Sequence, residues 1–460
     1  MEGFFPFVRY NYPHAARPPF FPAADKHTEV LLTSIQRLAG MQDILPDAQR
    51  YWRYLIQTGT EVAQEFGFQQ IDVPILEATQ LFVRGVGTAS DFFVNKEMYT
   101  IEEEDGESIT LRPEYTAGLV RAYIENGMQN WVQPVKLFSF GPIFRRERPQ
   151  AGRFRQHSQF DVEIMGETDP AADVEVMMLA MTMLQRIGFR GLTFQLNSTG
   201  CPICKPVYVE KLRAYLTDHM EKLAPIDQER MRRNPLRILD SKEAGMDALL
   251  ADAPHIINSL CADCTDHFAE LRRLLDKLEQ PYSINFRLVR GIDYYVKTVF
   301  EVWAEGIGAQ AALFGGGRYD GLAEAIGGPH TPGVGFGAGI DRIALTMAAW
   351  GIEPPPAFAI PVFIAHFGGE TKSAAVALAF RLRRAHVPAR VAFAHARRSM
   401  KSQMREANKL DARYVLILGE SELAANSVVV RPLDGGEQTT LSLAGSVLED
   451  WLRLALGRKK

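Results

Sequence analysis

A chain of 460 residues exceeds what one hydrophobic core usually serves, so two or three domains are expected. With 47% hydrophobic and 23% charged residues it has the balance of a globular protein, and no uninterrupted apolar run is long enough to span a bilayer, which sets aside a membrane-spanning helix. A formal charge of -4 is not that of a protein holding nucleic acid by its overall charge, so any such contact needs a local basic surface.

Residues 1 to about 33 hold five prolines without periodicity and are expected to form a flexible extension. They lack a basic start, a long apolar stretch and a small-residue cleavage site, so no signal peptide is expected and the cytoplasm is the expected compartment. Between about 47 and 67 a helical pattern of Tyr51, Tyr54, Leu55, Val62 and Phe66 leads through Gly67 to FQQIDVPIL, which reads as a strand. At LRPEYTAG, 111 to 118, a helical pattern begins, and Glu114 and Thr116 stand where a helix N-terminal cap would.

In residues 144 to 166, FRRERPQAGRFRQHSQFDVEIMG, five arginines (145, 146, 148, 153, 155) fall within eleven positions around a Pro149 to Gly152 turn. The turn implies two facing strands. Arginine's permanently charged planar fork suits phosphate, so the segment reads either as a polyanion clamp or as an exposed basic hairpin that holds RNA unspecifically. Beyond the turn, Gln159 and Glu163 lie four residues apart, which along a strand puts an amide and a carboxylate on one face. His157 is expected on the face opposite or beside any pocket.

The stretch from about 196 to 282 is mostly helical and charged, and it contains all four cysteines as Cys201-Pro-Ile-Cys204 and Cys261-Ala-Asp-Cys264. Two C-x-x-C knuckles can close a tetrahedral zinc site, although residues 205 to 260 separate them, far more than in common zinc ribbons. Independent reduced thiols are the alternative, and a redox pair a third.

Residues 285 to 303, NFRLVRGIDYYVKTVFEVW, alternate like a half-buried strand or strand pair with Gly291 at a turn, setting Arg290 beside Tyr294 and Tyr295. In TPGVGFGAGIDRIAL, 331 to 345, glycines 335, 337 and 339 clear one face of a strand ahead of a helix carrying Arg342. Something flat could lie on that bare backbone with the Arg342 guanidinium over it. No G-x-x-x-x-G-K-[ST] occurs, which excludes a P-loop. After Pro354-Pro355-Pro356, the runs PVFIA, ARVAF, YVLILG and NSVVVRP alternate with helical patterns at about 370 to 385 and 399 to 410, the plan of a compact α/β domain.

The segments 144 to 166 and 331 to 345 resemble the second and third signature motifs of class II aminoacyl-tRNA synthetases, and LVRGIDYY at 288 to 295 resembles the hallmark of histidyl-tRNA synthetases. GMQDILP (40 to 46), LRPEYTAG and FGGGRYDGL (314 to 322) are similar to that family too, so the likeness runs from about residue 35 to the C-terminus. The resemblance implies an α+β fold: a class II catalytic domain on a mainly antiparallel sheet at 34 to 350, a mostly helical insertion at about 196 to 282 that meets the tRNA acceptor stem, and an anticodon-binding α/β domain at 357 to 460. It implies a homodimer built through the region after residue 47, and a histidine–tRNA ligase. Such an enzyme activates L-histidine with ATP, in the presence of Mg2+, and passes it to the 3' end of tRNA(His).

Carried over residue by residue, the resemblance puts Arg145 on the α-phosphate, Arg290 beside the histidine carboxylate and the reacting phosphate, and Arg342 over the adenine. Arg153 would reach the outer phosphates and Glu147 the adenine amino group. Glu114, Tyr115, Thr116 and Gln159 would surround the α-amino group, with Glu163, Tyr294 and Tyr295 at the imidazole. Two positions depart from the family pattern. Tyr115 replaces a glycine often found between the glutamate and threonine, and Gln156-His157-Ser158-Gln159 differs from the usual order, in which histidine directly precedes the glutamine. Two rival readings remain: a paralogue that binds histidine without catalysis, such as the regulatory subunit of ATP phosphoribosyltransferase, and a zinc-bearing RNA-binding protein without activity.

Overall fold

The computed structural model describes residues 35–86, 97–147, 154–304, 312–356, 360–393 and 399–457. The reading of residues 1 to 33 falls wholly outside them, as do Arg148 and Arg153. Among the described residues the strands form three sheets. Numbered in chain order, the largest runs β1 (Gln69–Gln70), β5 (Val135–Phe144), β6 (Gln156–Met165), β11 (Gly333–Gly339), β10 (Ala312–Arg318), β9 (Val296–Ala304), β7 (Leu192–Gly200) and β8 (Tyr282–Ile284). Only its outermost pairs are parallel, and every pairing between them is antiparallel. A small antiparallel sheet joins β2 (Leu76–Ala78), β4 (Ser108–Leu111) and β3 (Tyr99–Glu102). The third sheet, in the order β13 (Ala389–Val391), β12 (Val362–His366), β14 (Tyr414–Leu418), β15 (Ser427–Pro432), β16 (Thr439–Ser442), belongs to the C-terminal α/β segment.

Alternation along the strands of the large sheet decides what each face does. Phe160, Val162 and Ile164 of β6, Phe300 and Val302 of β9, and Val334, Phe336 and Ala338 of β11 join one core with the helices Gln49–Glu65 and Pro170–Ile187. Each large side chain fully buried there stabilises the fold by about 1.5–3 kcal/mol. The helix Gln49–Glu65 presents Trp52, Leu55, Val62 and Ala63 to that core at helical spacing. Asp169 caps Pro170–Ile187 by accepting a hydrogen bond from the Ala171 backbone, and Gly188 ends it at φ 116, a conformation that costs glycine little. The intervening residues, Gln159, Glu163, Glu301 and the glycines 315, 317, 335 and 337, are left for the opposite face.

The stretch after β7 divides in two. Tyr208, Leu212, Leu216, Ile238, Leu250 and Ile256 close a separate small core among the helices Cys204–Thr217, Pro225–Arg233 and Met246–Ala251. The helix Ala262–Lys277 instead sends Phe268, Leu271 and Leu275 into the main core.

The sequence reading needs three corrections here. Residues 285–295 are loop and turns, and only Val296–Ala304 of the proposed strand pair is a strand. The loop backbone is held by side chains in place of a neighbouring strand: Asn197 Nδ2 donates to the Leu288 carbonyl (3.0 Å) and Arg237 to the Gly291 carbonyl (2.8 Å). FQQIDVPIL is not one strand: Gln69 and Gln70 pair with β5, its last residue Leu76 opens β2 in the small sheet, and the residues between them are loop. In the C-terminal segment the reading missed β16 and the helix Val447–Ala455.

Candidate active site

Alternate glycines of β10 and β11 lie side by side on the face away from the core, with Gly315 opposite Gly337 and Gly317 opposite Gly335. On the other flank of β11, Gly335 faces Glu163 and Gly337 faces Asp161. Side chains of the protein itself lie across this bare backbone. A Cβ at Gly335 would stand 1.6 Å from Glu163 Oε2, one at Gly337 1.7 Å from Gln159 Nε2, and one at Gly315 2.4 Å from Arg290 Nη1. Glycine is required at these positions because Glu163, Gln159 and Arg290 must lie flat on the sheet. Only at Gly339, whose nearest neighbour would be Arg342 Cβ at 3.9 Å, does the expected open surface beside Arg342 remain.

Above this floor opens a cavity of about 790 Å³. One end is acidic. Glu114, Asp161 and Glu163 are each at most 3% exposed. Glu114 does serve as the helix cap that its position suggests, accepting from the Ala117 backbone (2.9 Å), while its other oxygen faces the Tyr294 hydroxyl at 3.5 Å. Glu163 accepts from the Thr116 hydroxyl (2.6 Å) and the Tyr319 hydroxyl (2.5 Å). Gln159 Nε2 donates to Asp161 Oδ1 at 3.0 Å, and this leaves Gln159 Oε1 and Asp161 Oδ2 buried with no hydrogen-bond partner. Burial raises the pKa of Glu114, and burial with the neighbouring Glu163 and Glu114 charges holds Asp161 well above its ordinary value. A pocket of crowded carboxylates with two idle acceptors is built to receive a cationic or multiply donating group.

Burial also pushes the Glu163 carboxyl up to about 8 against the opposing hydrogen bonds from Thr116 and Tyr319. In the unfolded chain the group ionises near 4.5, so through the window from there to about 8 ionisation favours unfolding. Stability therefore falls as pH rises across that window and levels off above it. Relative to the parent, the melting temperature of Glu163→Gln should climb between about pH 5 and pH 9. A difference independent of pH would mean that Glu163 is already ionised in the empty pocket.

Basic side chains line the same cavity. Arg290 pairs with Glu301 (2.9 Å), which also accepts from Trp303 Nε1 (2.8 Å), and its guanidinium lies 5.8 Å from the centre of the Tyr295 ring. Arg145 is anchored by its Nε to the Pro113 carbonyl (2.9 Å) and Arg342 by Nη1 to the Ala312 carbonyl (3.1 Å). Glu147 and both Tyr294 and Tyr295 line the same cavity, together with Glu114, Thr116 and Gln159.

Glu163 is not among the side chains that line the cavity; its carboxylate lies across Gly335 in the cavity floor. Tyr115 does not face the cavity: it is buried among Val73, Leu119, Ala122 and Ile143, and its hydroxyl accepts from Arg112. His157 lines the cavity, contrary to its expected place, because it shares the two-residue alternation of Gln159. Burial and the nearby Arg145 lower its pKa to about 3, so it is neutral at physiological pH. The sequence reading missed Asp161, which the same alternation would have found, and Tyr319, which lies in FGGGRYDGL, a motif cited only for its likeness to the family. It also missed Arg230, Arg233 and Arg237, which the small helical unit brings to the cavity wall.

The four cysteines lie outside this cavity lining and come together, with all four Sγ atoms within 4.8 Å of one another.

Comparison with known proteins agrees with the site. The sequence model described as histidyl-tRNA synthetase matches residues 40–343, and that of an anticodon binding domain matches residues 361–448. The histidine–tRNA ligase of Pelotomaculum thermopropionicum is 46% identical over 424 residues, covering 92% of this chain and 99% of that one. The crystal structure of apo S. aureus histidyl-tRNA synthetase superposes with a TM-score of 0.75 at 33% identity, over 91% of this chain and 100% of that one. An ATP phosphoribosyltransferase regulatory subunit/histidyl-tRNA synthetase from Bacillus halodurans C has a TM-score of 0.60 at 20% identity, over 84% of this chain and 98% of that one, and so shares the fold. The chain belongs to the histidyl-tRNA synthetase family.

Proposed function

We propose that the chain is a histidine–tRNA ligase: it joins L-histidine to ATP as histidyl-adenylate, releasing pyrophosphate, and then transfers histidine to the 3' end of tRNA(His). The observation that carries this reading is the make-up of the cavity, in which unpartnered acceptors beside buried carboxylates share one space with Arg145, Arg290 and Arg342. A molecule with an amino group, a ring with N–H groups and a carboxylate awaiting activation fits between the two.

In the first step an oxygen of the histidine carboxylate attacks the α-phosphorus and pyrophosphate leaves. In the second a tRNA ribose hydroxyl attacks the activated carbonyl carbon and AMP leaves. Neither step needs a protein nucleophile. Both need reactants held in line and negative charge offset as it develops on phosphorus. Arg145 and Arg290 take that task, Arg342 packs on the adenine, Glu147 meets its amino group, and Arg153 reaches the outer phosphates. Glu114, Thr116 and Gln159 receive the α-amino group, to which the geometry adds Asp161. Glu163, Tyr294 and Tyr295 answer the imidazole. Because partners for both ring nitrogens are buried, an amino acid lacking either nitrogen leaves polar groups unpaired, a penalty that can reach roughly 10⁴ to 10⁵ in selectivity.

Among the described residues no cluster of three or more carboxylates is placed to cage a cation. Mg2+ accordingly enters bound to the phosphates of ATP, with at most one or two carboxylates added, the usual habit of that ion. Arg230, Arg233 and Arg237 on the helical unit reach the cavity wall among Glu229 and Asp240, and are the side chains we assign to the acceptor end of tRNA. A homodimer fits the exposed apolar residues on the flanking strands of the small sheet, Leu76 and Ile101, and nearby in sequence Ile75; a monomer in light scattering would count against it. No helix among the described residues is long and apolar enough to cross a membrane, and the cytoplasm is the proposed compartment.

The test is amino-acid-dependent ATP–pyrophosphate exchange, run with histidine and the other amino acids in parallel. Exchange with histidine alone is expected. Histidine binding without exchange would turn the reading to a regulatory paralogue, whose fold this chain shares. The joint presence of the three arginines at the cavity argues for the enzyme.

A further inference from the structure

The cysteines arrive from two distant parts of the chain. Cys201 follows the last residue of β7, and Cys204 is the first residue of the helix Cys204–Thr217. Cys261 immediately precedes the helix Ala262–Lys277, and Cys264 lies in its first turn. Folding therefore gathers the point where the helical unit leaves the large sheet and the point where the chain returns to the main core.

The spacing of the sulfurs identifies what the cluster is built for. Cys201 Sγ lies 3.7 Å from Cys204 Sγ and 3.7 Å from Cys261 Sγ, and Cys204 Sγ lies 3.8 Å from Cys264 Sγ. A disulfide would bring a pair to about 2.05 Å. Four thiolates at about 2.3 Å from a central zinc ion, tetrahedrally arranged, have edges of about 3.8 Å. Two helix N-termini converge on the cluster with their partial positive charge, and the Cys201 backbone N–H donates to Cys204 Sγ at 3.2 Å. Gly200, at φ +67, turns the chain into the first knuckle, where a Cβ would stand 2.9 Å from Cys204 Sγ.

We propose that Cys201, Cys204, Cys261 and Cys264 bind one Zn2+ as a closed tetrathiolate site that pins the two roots of the helical unit and steadies the substrate loop. Four thiolates leave no open position, so the ion has a structural role. Its connection to the substrate loop runs along β7. Asn197 near the end of that strand holds the Leu288 carbonyl, and Thr199 Oγ1 donates to the Tyr295 carbonyl at 3.1 Å. These two bonds bracket the loop that carries Arg290 and Tyr294. Losing the ion frees the end of β7 and with it both anchors.

The test uses the full chain, purified without chelator from cells grown with added zinc. Elemental analysis should give about one zinc per chain, and Co2+ exchanged for it should show the d–d and sulfur charge-transfer bands of a tetrahedral four-sulfur site. Cys264→Ser should lose most of the bound zinc and raise the KM for histidine severalfold. Should that variant fail to fold, the metal content and the Co2+ spectrum of the parent still decide the matter. Below about half an equivalent of zinc with four thiols freely reactive, a disulfide found by mass spectrometry, or iron in place of zinc would each overturn the proposal. Histidine-dependent exchange is scored separately, so failure of the zinc site and failure of the ligase reading are distinguishable.

Discussion

Replacing Arg290 by alanine is expected to reduce histidine-dependent pyrophosphate exchange by about 10²- to 10³-fold, or roughly 2.7–4 kcal/mol, the value of one preorganised donor at a charge-developing centre. The guanidinium is fixed before substrate arrives, by the ion pair with Glu301, by the Tyr295 ring and by the glycine floor at Gly315. It therefore costs no reorganisation in the transition state. The fold should survive, because Glu301 keeps its bond from Trp303 and the loop keeps its anchors at Leu288, Gly291 and Tyr295. Arg290→Lys should recover little, since an ammonium cannot span Glu301 and a phosphate with one planar fork. The check is exchange kinetics beside a melting curve. Near-normal exchange with an unchanged melting temperature would remove Arg290 from the chemistry.

What the sequence disclosed of this site follows strand periodicity. Gln159 and Glu163 could be put on one face because an extended chain repeats every two residues, and the structure puts them there. The same rule reaches His157 and Asp161, but the motif drew attention to particular letters and away from the period. Alternate glycines announced a cleared face correctly, whereas what lies there, Glu163, Gln159 and Arg290, depends on cross-strand register that one strand does not contain. The loop at 285–295 read as a strand because its apolar and polar residues alternate. Its carbonyls are claimed by Asn197, Thr199 and Arg237, partners far away in sequence. The basic residues of the helical unit are likewise ordinary surface arginines until folding brings them to the cavity wall.

Removing Asp173 should be the most damaging single change to stability. Arg318, at the end of β10, has no exposed surface and donates to the Asp173 carboxylate, to Asp320 (3.1 Å) and to the Glu167 carbonyl (2.7 Å). Asp173 lies in the helix Pro170–Ile187 and also meets His267 Nε2 at 3.3 Å, from the helix Ala262–Lys277. Burial would raise the Asp173 carboxyl, but hydrogen bonds from His267 and Arg318 and the arginine's charge carry it below its ordinary value. Its contribution is consequently present above the ordinary carboxylate range and lost as pH falls through the lowered value. Asp173→Ala leaves the buried arginine with Asp320 alone for a counter-charge, and should cost about 3–5 kcal/mol of unfolding free energy in denaturant titrations at neutral pH. The double variant Asp173→Leu with Arg318→Met removes both charges and should recover much of that loss, because the penalty arises from the orphaned charge more than from the broken bond. A loss below about 1 kcal/mol for the single variant would mean that Glu167 and Asp320 suffice for the guanidinium. The pair would then contribute little to holding the helix against the sheet whose other face carries the cavity.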